Sequence, residues 1–321
     1  MELPKRLRFL IEEATSKVAN KVLAENASVI SCRYRQEKAI GTSLLNKNDE
    51  ALSYAVVRMP ATFGAVSSAL EKVLDITDCA PKSLLDVGAG TGAATWAVEQ
   101  QINLENIVCL EREKVMRDVG QYLMQESEIE VLKQAKWQNF DAVRDELKDN
   151  ADLVVVSYML NELREEDRSA VLKKLWEATN QILLIVEPGT PKAFVSLLKM
   201  RDFLLESGGN VIAPCPHGNA CCLPEGDWCH FSCRIARSKL HKQVKSASMG
   251  YEDEKFCFLA VGRKKQDRQY ARVLKNPQIN KVSVKYEICS HNGKIEEQEV
   301  SSRDKNNYKM AKKLNWGDEI S

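Results

Sequence analysis

The feature that most constrains the fold is a regular alternation of strand-like and helix-like segments that starts near residue 82. Short apolar runs rich in β-branched residues recur as SLLDVG, NIVCLE, QAKWQ, DLVVVSY and QILLIVE. Helix-like segments separate them, among them KVMRDVGQYLMQES, DAVRDELKD and EEDRSAVLKKLWEAT. Alternation of this kind predicts a parallel sheet with helices on both faces, which is an α/β, doubly wound fold.

The first strand of this series ends in a glycine-rich turn that opens a helix. Gly88, Gly90 and Gly92 carry no β-carbon, so a ligand can approach the backbone closely at the N–H groups of a helix N-terminus. The spacing of Gly88, Gly90 and Ala93 also satisfies the dinucleotide fingerprint. Asp86 and the form Gly88-x-Gly90-x-Gly92 instead favour S-adenosylmethionine and a class I methyltransferase (Rossmann-like) sheet.

Further cofactor contacts are expected where the next two strands end. Glu111 ends the second strand, a position from which a carboxylate can accept hydrogen bonds from ribose hydroxyls. Asn139 and Asp141 follow the third strand and could reach the adenine. The plainer alternatives are a purely structural turn for the glycines and a solvated surface acid for Glu111.

The catalytic position is expected after the fourth strand. Enzymes that methylate base amino groups often carry Asn/Asp-Pro-Pro-aromatic there, whereas this chain has SYMLNE at residues 157–162. The candidates are therefore Ser157, Tyr158 and Asn161. Methyl transfer needs little acid–base help once the nucleophile lies in line with the sulfonium, so this segment does not exclude catalysis. It contains no cysteine for a covalent attack on cytosine.

Five of the ten cysteines fall in one stretch, PCPHGNACCLPEGDWCHFSC, at residues 214–233. A disulfide framework is not expected in a reducing compartment. Cys215, Cys221 and Cys229 are spaced more widely than the ligand pairs of structural zinc sites, and the spacing also differs from that of ferredoxins. Spacing alone therefore leaves zinc and an iron–sulfur cluster open, with unliganded cysteines as the third alternative.

Charge is distributed unevenly along the chain. The whole sequence has a net charge of +1, but residues 1–229 hold 26 Lys+Arg against 34 Asp+Glu, giving −8, and residues 230–321 hold 20 against 11, giving +9. A sign reversal of this kind suggests a polyanionic partner, although a lysine-rich solvated surface is the ordinary alternative. The expected phosphate contacts are Arg237, Lys239, Lys242, Lys245, Arg263, Lys264, Lys265 and Arg268.

The predicted organisation has three parts. Residues 1–80 form a helical region, residues 81–264 the methyltransferase domain with its cysteine loop at 214–233, and residues 265–321 a basic β extension with a hairpin at SHNG. The first helix face is expected to combine Leu7, Leu10, Ile11, Ala14, Val18 and Val22. No apolar run approaches the roughly 20 residues of a membrane span, and the first residues resemble neither a secretory signal nor a transit peptide. A cytoplasmic location without membrane attachment is expected.

Seven segments together resemble the small-ribosomal-subunit methyltransferase-like family, which comprises mitochondrial ribosome assembly factors and their bacterial homologues. They are LPKRLRFLIEE, YAVVRMPATFGAV, SLLDVGAGTGAATWA, VEPGTPKAF, CPHGNACCLPEGDWCHFS, YEDEKFCFLAV and WGD. The resemblance runs nearly end to end. It implies binding of S-adenosylmethionine and of a four-iron, four-sulfur (4Fe-4S) cluster, whose ligands match Cys215, Cys221, Cys229 and Cys289.

The resemblance also implies that the small ribosomal subunit and its rRNA are the partners, with a monomer off the ribosome. The cluster would join the basic C-terminal unit to the catalytic domain, leaving Cys222, Cys233 and Cys257 outside the ligand set. Two functions follow: an rRNA methyltransferase, or an assembly factor whose turnover is weak or lost. A radical iron–sulfur enzyme is disfavoured, because the cysteines lack the tight triplet spacing of that chemistry.

Overall fold

The computed structural model describes residues 1–36, 45, 47–265 and 269–320, with side chains left out for residues 32–36. Helices form its first part: α1 Lys5–Thr15, α2 Asn20–Gln36, α3 Asn48–Val57 and α4 Met59–Leu74. The single apolar face expected over residues 7–22 is divided between α1 and α2, which are separated by a turn. The turn reorients the second helix, so Val22 is 37% exposed while Leu7 and Leu10 are fully buried.

A large mixed sheet forms the centre of the molecule. Its strands are β1 Ser83–Val87, β2 Asn106–Glu111, β3 Lys136–Asn139, β4 Ala151–Ser157, β5 Thr179–Pro188, β6 Asn210–Ala213, β7 Phe231–Ala236 and β8 Tyr251–Gly262. The order is β3-β2-β1-β4-β5-β8-β6, and β7 also pairs with β8. The first five strands are parallel, and β8 is antiparallel to each of its neighbours.

Helices cover both faces of this sheet, which confirms the predicted α/β fold. They are α4 together with α5 Ala93–Glu99, α6 Lys114–Gln125, α7 Glu130–Lys133, α8 Glu165–Glu177 and α9 Pro191–Glu206, with a 3₁₀ turn at Leu160–Glu162. Helix α10 Lys239–Val244 packs on α2 and α3. Successive side chains of β1 point to opposite faces of the sheet, so Leu84 packs in the apolar core on one face and Leu85 in the core on the other.

The helix expected in DAVRDELKD does not form. Residues 141–150 make turns and extended chain instead. The side chain of Asp141 accepts the Val143 N–H at 3.0 Å, and the side chain of Asp145 accepts the Asp141 N–H at 2.8 Å. These bonds cap a single turn, in which the Asp145 N–H donates to the Asp141 carbonyl at 2.9 Å. The turn is not continued, and Lys174 of α8 binds the carbonyls of Ala142, Val143 and Asp145, which a longer helix would use as its own acceptors.

The long strand β8 has different partners along its two edges. β5 pairs with residues 256–262 on one edge. On the other edge β6 pairs with residues 260–262 and β7 with residues 251–256. The cysteine loop therefore connects two strands that lie one after the other along the same edge of β8.

A smaller sheet follows, formed by β9 Ala271–Val273, β10 Gln278–Ile279, β11 Ser283–Cys289, β12 Ile295–Ser301 and β13 Glu319–Ile320, with helix α11 Lys305–Ala311. β11 and β12 pair antiparallel in a full register from Ser283 to Cys289, so the predicted hairpin forms. The three domain limits given above remain predictions. Among the described residues, no helix is long and apolar enough to cross a bilayer.

Candidate functional site

The glycine turn lies at the carboxyl end of β1, where it leads into α5. Gly88, Gly90 and Gly92 have φ angles of 73°, 57° and 85°, a region that residues other than glycine rarely adopt. A β-carbon on Gly88 would lie 2.9 Å from Cγ of Met159, and one on Gly92 would lie 2.5 Å from Cε of Met124. The positive φ angles therefore favour glycine at all three positions, and the close approach of Met159 adds a steric reason at Gly88.

A cavity of about 420 Å³ opens above this turn. That volume is within the usual range for small-molecule sites. Four of the predicted cofactor residues line it, namely Gly88, Gly90, Glu111 and Asp141, as do the catalytic candidates Ser157 and Tyr158. The remaining lining includes residues that the sequence did not single out, above all Tyr54 from α3, Arg112, Phe140 and Glu162.

The carboxylate of Glu111 is fixed by the backbone around it. Its Oε2 accepts the Gly90 N–H at 2.8 Å, and its Oε1 accepts the Glu113 N–H at 2.7 Å. Burial raises the pKa of Glu111, while the two N–H donors oppose that rise. Because each carboxylate oxygen has a second lone pair, Glu111 can still accept hydrogen bonds from ligand hydroxyls.

Asp86, Gly92 and Asn139 do not line the cavity. Asp86 is fully buried behind the glycine turn, where its Oδ2 accepts the N–H and the hydroxyl of Thr95 at 3.1 and 2.7 Å. Burial raises its pKa to about 7. Asn139 accepts a hydrogen bond from Arg117 at 2.9 Å on the exposed end of β3. The side chains of Asp86 and Asn139 hold the glycine turn and the edge of the sheet, and their direct contacts with a cofactor remain predictions.

The turn after β4 is held from behind by Glu187, a fully buried carboxylate near the end of β5. Its Oε1 accepts the N–H groups of Leu160 at 2.9 Å and Asn161 at 3.3 Å, and its Oε2 accepts the Asn161 side-chain amide at 2.8 Å. Asn161, a catalytic candidate, is thus engaged in a structural contact. The signal in the sequence was a carboxylate at the carboxyl end of a buried strand, in IVEPGT.

Tyr158 is also tied down. It has a φ of 58°, and its hydroxyl donates to Glu254 of β8 at 2.9 Å. Arg58, between α3 and α4, lies 3.4 Å from the same carboxylate oxygen and over the Tyr158 ring. This ion pair joins the helical N-terminal region to the sheet directly beside the cavity.

Glu162 faces the same cavity with a strongly perturbed carboxyl group. Burial raises its pKa to about 8, and the nearby charge of Glu187 adds to the rise. Functional sites often contain a carboxyl group that lines a cavity and has a pKa near neutrality, because such a group can exchange a proton with a ligand.

The four predicted metal ligands line one further cavity, at the junction of the two sheets. Cys215, Cys221 and Cys229 come from the loop between β6 and β7, and Cys289 is the last residue of β11. Burial raises the pKa of Cys229 to about 12 and also raises that of Cys289. Without a metal these thiols stay protonated, and a metal that bound here would displace their protons.

Cys222, which the family resemblance leaves outside the ligand set, lies close to Cys289. The two sulfurs are 3.5 Å apart, and Nε2 of His217 is 3.2 Å from the Cys289 sulfur. A sulfur-rich donor set of this kind fits zinc, a copper(I) ion or an iron–sulfur cluster, all of which prefer thiolate ligands. Cys233 and Cys257, buried in β7 and β8, do not take part in this set.

Two side chains connect the cysteine loop to helix α9 and to the turn after β5. Arg201 of α9 is 2% exposed and donates to the carbonyls of His217 at 3.0 Å and Asn219 at 2.6 Å. Trp228 donates its Nε1–H to the carbonyl of Gly189 at 3.2 Å, in the turn after β5. The loop is therefore ordered by specific hydrogen bonds as well as by its thiols.

The basic residues expected to contact phosphate fall into two groups. Arg237 and Lys245 both bind Glu252, at 2.7 and 2.8 Å, and Arg263 stacks on Trp176 at 3.8 Å. The second group is on the surface: Lys239, Lys264 and Lys265 are exposed and Lys242 is half-buried. Arg268 lies outside the described residues. Of the first group, Arg237 is largely buried in its ion pair, whereas Lys245 and Arg263 are themselves exposed and remain part of the positive surface.

A parallel sheet in the order 3-2-1-4-5, closed by an antiparallel strand, with a glycine turn and a cavity at the carboxyl edge of its first strands, defines a protein of the class I methyltransferase fold. The cysteine loop and the second sheet are additions to that class. The family described as mitochondrial small ribosomal subunit Rsm22 matches residues 48–321, and this chain belongs to it.

Individual relatives are more distant. The human mitochondrial ribosome assembly protein METTL17 is 28% identical over 292 residues, and the match spans 84% of this chain and 62% of METTL17. Among solved structures, magnesium protoporphyrin IX methyltransferase from Synechocystis, with bound S-adenosylmethionine, aligns with a TM-score of 0.42 and 13% identity over 74% of this chain and 97% of its own. A TehB-like methyltransferase from Corynebacterium glutamicum gives a TM-score of 0.41 and 15% identity over 75% and 99% of the two chains.

Proposed function

We propose that this protein binds S-adenosylmethionine and acts on the small ribosomal subunit during its assembly, as a methyltransferase of small-subunit rRNA. The observation that carries the proposal is the positive-φ glycine turn that opens onto a cavity with Glu111 in its wall. Backbone N–H groups at the start of α5 suit the carboxylate end of the cofactor, and Glu111 suits its ribose. When bound, the cofactor supplies an electrophilic methyl group.

The cysteine site supports a second part of the proposal, a structural 4Fe-4S cluster. Cys215, Cys221, Cys229 and Cys289 line one cavity, and thiolates are the ligands that such clusters require. Because Cys289 belongs to the second sheet and the other three to the loop, a group bound by all four would join the two sheets. Family membership supports the ribosomal partner, which remains a proposal. A cytoplasmic location and a monomeric state off the ribosome are also proposals.

A specific observation favours a second candidate function, an assembly factor with little or no turnover. Tyr158 and Asn161 are engaged with Glu254 and Glu187, so neither side chain is free to position an acceptor base. Ser157 is 92% buried, its exposed fraction being 8%. In this alternative, cofactor binding stabilises the fold of a protein that binds rRNA.

Calorimetric titration with S-adenosylmethionine tests the cofactor proposal. Gly90→Arg should abolish binding, because φ is +57° and an arginine would fill the cavity. Gly208→Arg is the matched control, with a φ of +83° and no atom within 4 Å of the added β-carbon. Wild-type affinity in Gly90→Arg would overturn the assigned site. Methyl incorporation into immature small subunits then separates the enzyme from the inactive assembly factor.

Iron and acid-labile sulfide analysis of anaerobically purified protein tests the cluster. We expect about four of each per chain, with Cys289→Ser lowering both. Cys79→Ser is the control, since Cys79 lies outside the cysteine cavity. Zinc in equal amount to protein, without sulfide, would contradict the cluster and leave a zinc site.

A further inference from the structure

His217, Cys222 and Cys289 form a compact set of ligand atoms that shares only Cys289 with the predicted cluster ligands. One nitrogen and two sulfurs all lie within 4.8 Å of one another. The imidazole and Cys289 are buried, and Cys222 is half-buried. Imidazole and thiolate are the ligands that zinc prefers, and sets of this composition are common in zinc proteins.

The spacing within the set suits a single tetrahedral ion. Zinc–sulfur bonds of about 2.3 Å and zinc–nitrogen bonds of about 2.0 Å place tetrahedral ligands about 3.8 Å apart for two sulfurs and about 3.5 Å for sulfur and nitrogen. The corresponding distances are 3.5 Å between Cys222 and Cys289 and 3.2 Å between His217 and Cys289. Small side-chain movements would therefore accommodate the ion.

A cluster places different demands on its ligands. Thiolates bound to different irons of one cluster are separated by the cluster itself, so sulfurs in direct contact do not suit it. Cys221 and Cys222 are adjacent in the chain, and only Cys222 contacts Cys289. Two ligand sets thus share Cys289: one with Cys215, Cys221 and Cys229, and one with His217 and Cys222.

We propose that His217, Cys222 and Cys289 form a mononuclear site for a thiolate-binding divalent cation, above all Zn²⁺. The ion binds there when Cys289 is not a ligand of the cluster. The statement that Cys289 is shared depends on the proposed cluster. The three-ligand site itself does not depend on it. A water molecule completes the tetrahedron. Because Cys289 lies in the second sheet and the other two ligands in the loop, the ion keeps the two sheets joined in the cluster-free protein.

Co²⁺ titration of the cluster-free full-length chain tests the site. The protein is stripped anaerobically with a chelator and kept reduced with a phosphine, which prevents disulfide formation between Cys222 and Cys289. We expect one equivalent of Co²⁺ to give thiolate-to-cobalt charge transfer and intense tetrahedral d–d bands, which Zn²⁺ then removes. Absence of these bands in the wild type would overturn the proposal.

Four variants separate the two ligand sets. Cys222→Ser and His217→Ala should weaken Zn²⁺ binding by about tenfold or more while retaining cluster iron and sulfide. Cys221→Ser, the matched control, should lose the cluster and keep wild-type Zn²⁺ affinity. Cys289→Ser should lose both. If Cys289→Ser does not fold, the comparison of Cys221→Ser with Cys222→Ser still decides.

Equal loss of Zn²⁺ affinity in Cys221→Ser and Cys222→Ser would overturn the separate site. Failure of the cluster proposal has a different signature, because the wild type would then hold no iron or sulfide after anaerobic purification. The Co²⁺ spectrum and its dependence on Cys222 would be unaffected by that result.

Discussion

The carboxylate of Glu187 accepts a hydrogen bond from the side-chain amide of Asn161 at 2.8 Å, and this contact fixes the turn that forms one wall of the cofactor cavity. The same carboxylate holds the N–H groups of Leu160 and Asn161. Arg168 binds the turn from the other side, donating to the carbonyls of Leu160, Asn161 and Leu163. The wall is therefore fixed through both its donors and its acceptors.

Asn161→Ala should destabilise the protein by about 1 kcal/mol, the usual net contribution of one buried hydrogen bond. Asn161→Asp should cost more, because it places a second carboxylate against Glu187. Urea unfolding of the cluster-free protein measures both. Asn180→Ala, at an exposed position, is the control. Equal stability of Asn161→Asp and wild type would contradict the assigned contact.

Glu162 should make the protein less stable as the pH rises. Its folded pKa of about 8 is above the ordinary value of 4.5, so the folded state binds the proton more tightly than the unfolded state. That contribution is complete below pH 4.5 and is lost as the pH rises through 8. Glu162→Gln should reduce the fall in unfolding free energy by at most about 1.4 kcal/mol per pH unit. Glu166→Gln, at an exposed site, should leave the slope unchanged.

His241 should give the opposite dependence at acid pH. It is 1% exposed on α10, beside Glu252, Arg237, Lys245 and Arg58, and burial lowers its pKa to about 4. The neutral form is the one that the fold favours, so this stability is present above pH 6.5 and is lost as the pH falls towards 4. The loss is at most roughly 3 kcal/mol.

Replacement of the imidazole tests this assignment. His241→Leu should flatten the unfolding free energy between pH 6.5 and 4 relative to the wild type. His291→Leu changes an exposed histidine and serves as the control. An unchanged acid limb in His241→Leu would assign the acid sensitivity to other groups.

Trp228→Phe should loosen the cysteine loop. The change removes the N–H that binds Gly189 at 3.2 Å but keeps an aromatic ring to stack on His230. We expect a loss of about 1 kcal/mol and faster proteolysis within residues 214–230. Trp137→Phe is the matched control, because its buried Nε1 has no hydrogen-bond partner among the described residues. Equal protease sensitivity of the two variants would contradict the role given to Trp228.

Binding of rRNA should depend on the exposed lysines and not on Arg237. Lys239→Ala should lower the affinity for a small-subunit rRNA fragment and reduce the salt slope by roughly 0.7 to 0.9, the range from single strands to duplex DNA for one lost phosphate contact. Arg237→Ala should lower stability, because it leaves Glu252 with one charged partner fewer. Filter binding at several salt concentrations separates the two effects. An unchanged slope in Lys239→Ala would remove that residue from the interface.

The sequence predicted the sheet well because β-branched runs separated by helical segments have few alternative arrangements. It did not reveal how the turn after β4 is held, since Glu187 and Glu254 reach it from distant strands. Spacing alone could not choose between Cys221 and Cys222, both of which line the cysteine cavity, and the choice of Cys221 came from the family resemblance. In an irregular loop, local backbone dihedrals decide which of two adjacent side chains faces inward, and spacing carries no information on them.

The helix wrongly expected at DAVRDELKD ends after one turn because of a contact with a distant residue. The composition suits a helix, but Lys174 of α8 binds the carbonyls of Ala142, Val143 and Asp145, the acceptors that a longer helix would use. The resemblance to a ribosome assembly family, based on motifs spread over most of the chain, is confirmed by the match over residues 48–321.

The placement of the cysteine loop has an evolutionary consequence. Its two ends are fixed on one strand, since Ala213 pairs with Ala260 and Phe231 with Phe256. The two anchor points are four positions apart along β8, a distance of about 13 Å. The loop is thus a closed insert whose length and ligands can change while both anchors stay in register. Mutations confined to the loop can therefore remove or exchange three of the four cysteines of the proposed cluster without altering the pairing of β6, β7 and β8, whereas Cys289 of β11 lies outside this segment.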